Sequence, residues 1–184
     1  RSAVNNNGMM AVVAEVGSGK TTMFNYLADY WNSNPQKFRV ITVKAFESIN
    51  TKIGVIMRLM MESVNSDVHV PRGIERQYKV LTDELFRFTR NRSNRVILMI
   101  DEAQDLNYQT FMDIKKIHEI AGNGMKNMFS VILFGKPHRK WDKLYAGPEI
   151  GYRMNMVLLE DLTQDEMVKI AEQRFSLSFA SDAI

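Results

Sequence analysis

The chain has 184 residues, 45% hydrophobic and 24% charged, an ordinary balance for one folded domain with a real core. The absence of cysteine excludes disulfides and thiolate metal sites, and no apolar run approaches the ~20 residues of a membrane span. A net charge of +3 is compatible with a nucleic-acid partner but is only a weak argument for one.

Residues 1 to 8 read as a polar lead-in, without a secretory signal or an initiator Met. The expectation is an excised fragment or a processed form of a cytoplasmic protein, with the question of flanking domains left open. Asn5-Asn6-Asn7-Gly8 is read as the turn into a first strand. The run Met9 to Ala14 is short, apolar and β-branched, as a buried strand is. It breaks at Gly17-Ser18-Gly19, and Lys20-Thr21-Thr22 then opens an amphipathic helix over 20–33 with Phe24, Leu27 and Trp31 on one face. Strand, glycine turn, Lys-Thr and helix together make a P-loop in its required context. Glycines let successive backbone N–H groups converge on one anion, and the new helix adds the positive end of its dipole. In such a loop Lys20 reaches the β- and γ-phosphates of ATP and the Thr21 hydroxyl ligates Mg²⁺. The first glycine of the full pattern G-x-x-x-x-G-K-[ST] falls on Ala14, which predicts a slightly altered start to the loop.

Asn34-Pro35 ends that helix, and Phe38 to Val43 is a second strand. Ser48 to Thr51 offers a capping residue for a helix over 51–64, whose stripe is Ile53, Ile56, Met57, Met60 and Met61. A loop with Pro71 and Gly73 leads to a third helix over 74–91, with Tyr78, Leu81, Leu85 and Phe88 on one face. Its basic end, with Arg87, Arg90, Arg92 and Arg95, reads as a solvated face complementing the helix C-terminus, with a nucleic-acid contact as the alternative. Val96 to Ile100 is a wholly apolar strand that ends in Asp101-Glu102. A strand buried on both faces belongs to a parallel sheet, and its C-terminal end is where such a sheet places a ligand. Asp101 there holds Mg²⁺ through water, and Glu102 polarises the attacking water.

Residues 107 to 121 read as helix, with His118 a satisfied, partly buried side chain. Phe129 to Phe134 is a fourth strand ending at Gly135-Lys136-Pro137. His138 to Leu144, basic with Trp141, is either a helix surface or a nucleic-acid contact. Met154 to Leu159 is a fifth strand, and Thr163 with Glu166 forms a capping box for a helix through Phe175. Of the 13 methionines, Met9, Met10, Met57, Met60, Met61 and Met99 sit within apolar runs and are read as core fillers.

Five apolar strands alternating with helices predict an α/β fold around a parallel sheet. The segments AEVGSGKTT, VILMIDEAQDL, VILFGKP and GYRM followed by LLEDLTQDE resemble those of a AAA+ ATPase. They look most like the branch that holds the secretion ATPase ExeA and the transposition ATPases of the Mu B and TnsC kind. The resemblance implies a P-loop core over 1–161 with a five-stranded sheet flanked by helices. Residues 162–184 are then the start of a helical lid, truncated before its sensor-2 arginine. It implies an ATP site formed by Glu15, Val16, Gly17, Ser18, Gly19, Lys20, Thr21 and Thr22, with Mg²⁺ on Thr21 and Asp101 and Glu102 as catalytic carboxylate. Lys136 falls at the sensor-1 position, where relatives usually carry a neutral amide or hydroxyl. Arg153 stands where the family places an arginine finger that acts on the neighbouring subunit's nucleotide.

That resemblance implies an ATP-hydrolysing switch forming a ring or helical filament on double-stranded DNA, with a transposase as client and no membrane. Pore-facing DNA contacts lie near residues 48–52, with Lys52 the named candidate. The alternative is a secretion-assembly ATPase of the ExeA type that does not bind DNA. A DEAD/DEAH-type helicase, suggested by Asp101-Glu102-Ala103-Gln104, needs two tandem domains and more chain than this.

Overall fold

The computed structural model describes residues 2–45, 51–139, 141, 154–160 and 163–175. In chain order the elements are α1 (Ser2–Asn5), β1 (Met9–Val13), α2 (Lys20–Asn32), β2 (Phe38–Lys44), α3 (Ile53–Val64) and α4 (Ile74–Phe88). They continue with β3 (Arg95–Asp101), a 3-10 turn (Ala103–Asp105), α5 (Tyr108–His118), β4 (Ser130–Gly135), β5 (Met154–Leu158) and α6 (Gln164–Phe175). The five strands form one sheet in the order β2-β3-β4-β1-β5, and every pairing is parallel.

Side chains alternate across this sheet as the period of a strand requires. Val96, Leu98 and Ile100 of β3 join Val131 and Leu133 of β4 on one face, under Ile56, Met57, Leu81, Leu85 and Phe111 of α3, α4 and α5. Ile97, Met99, Ile132 and Phe134 point the other way, onto Phe24, Ala28 and Trp31 of α2. Phe24 meets Phe134 edge to face with ring centroids 5.3 Å apart, which locks the first turns of α2 against the end of β4. The central strands β3 and β4 are therefore covered on both faces, which is why their sequences read as unbroken apolar runs. Met57, Met60, Met61 and Met99 are fully buried, as core fillers should be. No helix among the described residues is long and apolar enough to cross a membrane.

Several local expectations change. The lead-in is a helical turn, Ser2–Asn5, because Val4 has an apolar pocket against the α2 side of the sheet. Residue 52 takes the N-cap position of α3 without a side-chain cap, and the Thr51 carbonyl instead accepts the Thr110 hydroxyl at 3.0 Å. Helix α4 stops at Phe88, three residues short of the expected end, because the Asn94 amide donates to the Phe88 carbonyl at 2.9 Å. Tyr78 is exposed; the buried stripe of α4 is Gln77, Leu81, Glu84 and Leu85. Gln77 fits there because its amide donates to the Pro71 carbonyl at 2.8 Å.

Other readings hold. His118 is buried with Nε2 2.9 Å from the Asn7 carbonyl oxygen. Asn107, the first residue of the expected helix, is instead the N-cap of α5, its Oδ1 accepting the Thr110 N–H at 2.6 Å. The Thr163–Glu166 box forms as well: the Glu166 carboxylate accepts the Thr163 N–H at 2.9 Å and its hydroxyl at 2.8 Å. The Thr163 backbone bond, followed by its hydroxyl, holds the Glu166 carboxyl below the usual carboxylate range.

Candidate nucleotide-binding site

Because β4 lies between β1 and β3 and all three run the same way, the segments after Val13, Asp101 and Gly135 emerge side by side at one edge of the sheet. A cavity of about 350 Å³ opens there, lined by Val16, Gly17, Gly19, Lys20, Thr21, Thr22, Glu102 and Lys136. Residues more than 80 positions apart in sequence thus face one space.

The loop from Ala14 to Lys20 is built by its glycines. Gly17 and Gly19 have φ of 93° and 86°, a left-handed backbone that side-chain-bearing residues rarely adopt. A Cβ at either position meets no atom within 4 Å, so the requirement is for backbone freedom rather than space. Ser18 closes the loop from beneath, its hydroxyl donating to the Glu15 carbonyl at 2.7 Å. Glu15 and Ser18 therefore shape the loop, and neither lines the cavity. Ala14 is not among the residues with positive φ. Its N–H donates to the Gly135 carbonyl at 3.1 Å, so the missing first glycine leaves the loop unstrained and tied to β4.

Lys20 is buried, and its ammonium donates to the carbonyls of Ala14 at 2.7 Å and Glu15 at 2.5 Å. An ammonium has three donors, so one remains for a phosphate oxygen in the cavity. At the far wall, Asp101 ends β3 buried, its Oδ1 accepting the Glu102 N–H at 2.9 Å. Glu102 adopts φ 53°, ψ 38°, which for a residue with a side chain costs about 1–2 kcal/mol. The Asp101 bond offsets that cost, and the turn aims the Glu102 side chain into the cavity while Asp101 stays behind it. Lys136 follows β4 and is exposed on the same wall.

The donor set suits a nucleotide phosphate with Mg²⁺. Backbone N–H groups of a glycine loop, a helix N-terminus and two lysines provide for the anion. Among the described residues no group of three or more His, Cys, Asp or Glu could hold a metal alone. A cation here needs phosphate oxygens as partners, as Mg²⁺ does when it keeps few protein ligands. Thr21, on the cavity wall, and Asp101, whose Oδ2 has no protein partner among the described residues, are the residues that would hold it.

A family model described as "AAA domain" matches residues 4–143, well over half of the chain. The chain belongs to this AAA family. Among solved structures it is similar to the Aeropyrum pernix ORC2 protein in its ADPNP–ADP complexes, with a TM-score of 0.68 and 16% identity over 93% of this chain and 47% of that one. It is similar to Cdc6p from Pyrobaculum aerophilum, with a TM-score of 0.64 and 18% identity over 98% of this chain and 48% of that one. Drosophila ORC bound to DNA gives a TM-score of 0.67 and 16% identity, over 94% of this chain and 43% of that one. At such identities the likeness is one of fold, and this AAA domain spans about half the length of those chains. No curated protein sequence matches it.

Two residues behind the wall were not assigned to the site from the sequence. Gln104 is 2% exposed and joins Glu102 to the Lys136 backbone. Trp141 is buried and donates from Nε1 to the Lys136 carbonyl at 2.9 Å, so its ring is not a stacking contact; residues 140 and 142–144 of that basic segment lie outside the described residues. The fourth letter of Asp-Glu-Ala-Gln was the available signal for Gln104. Arg153 lies outside the described residues.

Proposed function

We propose that this AAA domain binds and hydrolyses ATP, and that hydrolysis switches its assembly on duplex DNA as a target-DNA regulator for a transposase. The observation that carries the enzymatic part is the cavity in which the glycine loop, Lys20 and Thr21 face Glu102 across the ends of adjacent strands. Lys20 and the loop N–H groups hold the phosphates, and Lys136 contacts them from the opposite wall. Thr21 and Asp101 would hold Mg²⁺, which would supply charge neutralisation to the phosphates. Glu102 orients a water and takes its proton as the oxygen bonds to the γ-phosphorus, while the bond from that phosphorus to the β–γ bridging oxygen breaks. Residues 162–184 form the start of the lid.

The DNA part has different support. Lys52 and Arg58 are exposed and line one groove beside the N-terminus of α3, which begins at the C-terminal end of the sheet, as the nucleotide cavity does. Two of the similar structures are described as bound to DNA, the Drosophila ORC and the Aeropyrum pernix ORC1 protein. The test is fluorescence anisotropy of a labelled duplex with ATP and with ADP. Tight binding is expected only with ATP, its logarithm falling linearly with log salt, and Lys52→Ala should lower that slope by about 1. Equal binding with ADP would remove the switch. ATP turnover without any DNA binding would favour the secretion-assembly alternative.

A further inference from the structure

Gln104 is not part of the cavity wall, yet it is bonded to two residues that are. Its Nε2 donates to Glu102 Oε2 at 2.7 Å, and its Oε1 accepts the Lys136 N–H at 3.1 Å. The orientation of a glutamine amide is usually ambiguous, but here the chemistry fixes it. A backbone N–H only donates, so Oε1 must face Lys136, and Nε2 is left to donate to the Glu102 carboxylate oxygen. The other side of residue 136 is pinned too, by Trp141 Nε1 on its carbonyl at 2.9 Å. Close approach depends on Gly135, where a Cβ would stand 2.7 Å from both Gln104 Oε1 and Trp141 Cζ2. Through the Gly135 carbonyl the same strand end holds the Ala14 N–H at the root of the phosphate loop.

We propose that Gln104 is a positioning residue that couples Glu102 to the end of β4, so that the strand end carrying Lys136 sets the orientation of the carboxylate. The inference rests on the reading of Glu102 as the base. Gln104 occupies Oε2 and leaves Oε1 to face the water. Any displacement of the residue 136 backbone when Lys136 engages a phosphate moves the amide, and Glu102 moves with it. A buried amide that merely fills space would have no such effect on rate.

The test uses the full chain with two substitutions. Gln104→Met keeps the length and removes both hydrogen bonds. Gln104→Glu keeps an acceptor for Lys136 and replaces the donor to Glu102 by a second carboxylate. Both should bind ATP within about threefold of the wild type by calorimetry, while kcat falls about 10- to 100-fold, as expected for a misplaced catalytic group. Should Gln104→Met not fold, Gln104→Glu carries the test alone. A kcat within twofold of the wild type in Gln104→Glu would overturn the proposal. Glu102→Gln, run alongside, separates the two claims. If it is inactive while the Gln104 variants run at the full rate, only the positioning role fails. If it too is active, the reading of Glu102 fails first.

Discussion

Glu102→Gln is expected to bind ATP as the wild type does and to hydrolyse it roughly 10²- to 10⁴-fold more slowly, the usual contribution of a positioned general base. The amide has the shape of the carboxylate, and its oxygen still accepts from Gln104 Nε2, which donates to Glu102 at 2.7 Å. The left-handed backbone at residue 102 is held by the Asp101 carboxylate through the N–H, a bond the substitution leaves in place. What is lost is the capacity to take a proton from water. Phosphate release measured beside nucleotide affinity checks this, and turnover at the wild-type rate would take Glu102 out of the chemistry.

Arg153→Ala separates an assembled ATPase from a self-contained one. An arginine supplied by a neighbouring subunit contributes roughly 10³-fold or more to phosphoryl transfer. Wild-type turnover per subunit is therefore expected to rise with protein concentration. The variant should stay near background and bind ATP normally. Mixing Arg153→Ala with Glu102→Gln should restore part of the activity, because one interface then pairs an intact Glu102 with an intact Arg153. Turnover independent of concentration, together with an active Arg153→Ala variant, would mean that each chain completes its own site. The arginine-finger reading of Arg153 would then fall, and the P-loop would stand.

What could be read from the sequence follows from where the physics is local. The P-loop was legible because its glycines, Lys20 and Thr21 are contiguous and the chemistry dictates their spacing. Strands β3 and β4 were legible because burial on both faces leaves no polar residue between Val96 and Ile100 or between Val131 and Phe134. Strand order was not, since nothing in the residues of β4 says that it lies between β1 and β3. The Gln104 bridge depends on that order: the fourth letter of Asp-Glu-Ala-Gln marks the residue but not the strand end it reaches. Tyr78 was misplaced because period alone cannot tell a buried tyrosine from an exposed one, whereas the partner of Gln77 is a loop carbonyl that no helical pattern encodes. The branch of the family rests on motif letters, while the Aeropyrum pernix ORC2 and Pyrobaculum aerophilum Cdc6p structures share the fold of this chain at 16% and 18% identity.

The central claim, that the glycine loop and Lys20 form an ATP site, is tested most directly by calorimetric titration of ATP with Mg²⁺ into the wild type and Lys20→Ala. Lys20 is the side-chain cation at the base of the loop, held on the Ala14 and Glu15 carbonyls. The expected result is one saturable site per chain in the wild type and no tight binding in the variant, although the backbone N–H groups of the loop remain. Unchanged ATP affinity in Lys20→Ala would contradict the assignment.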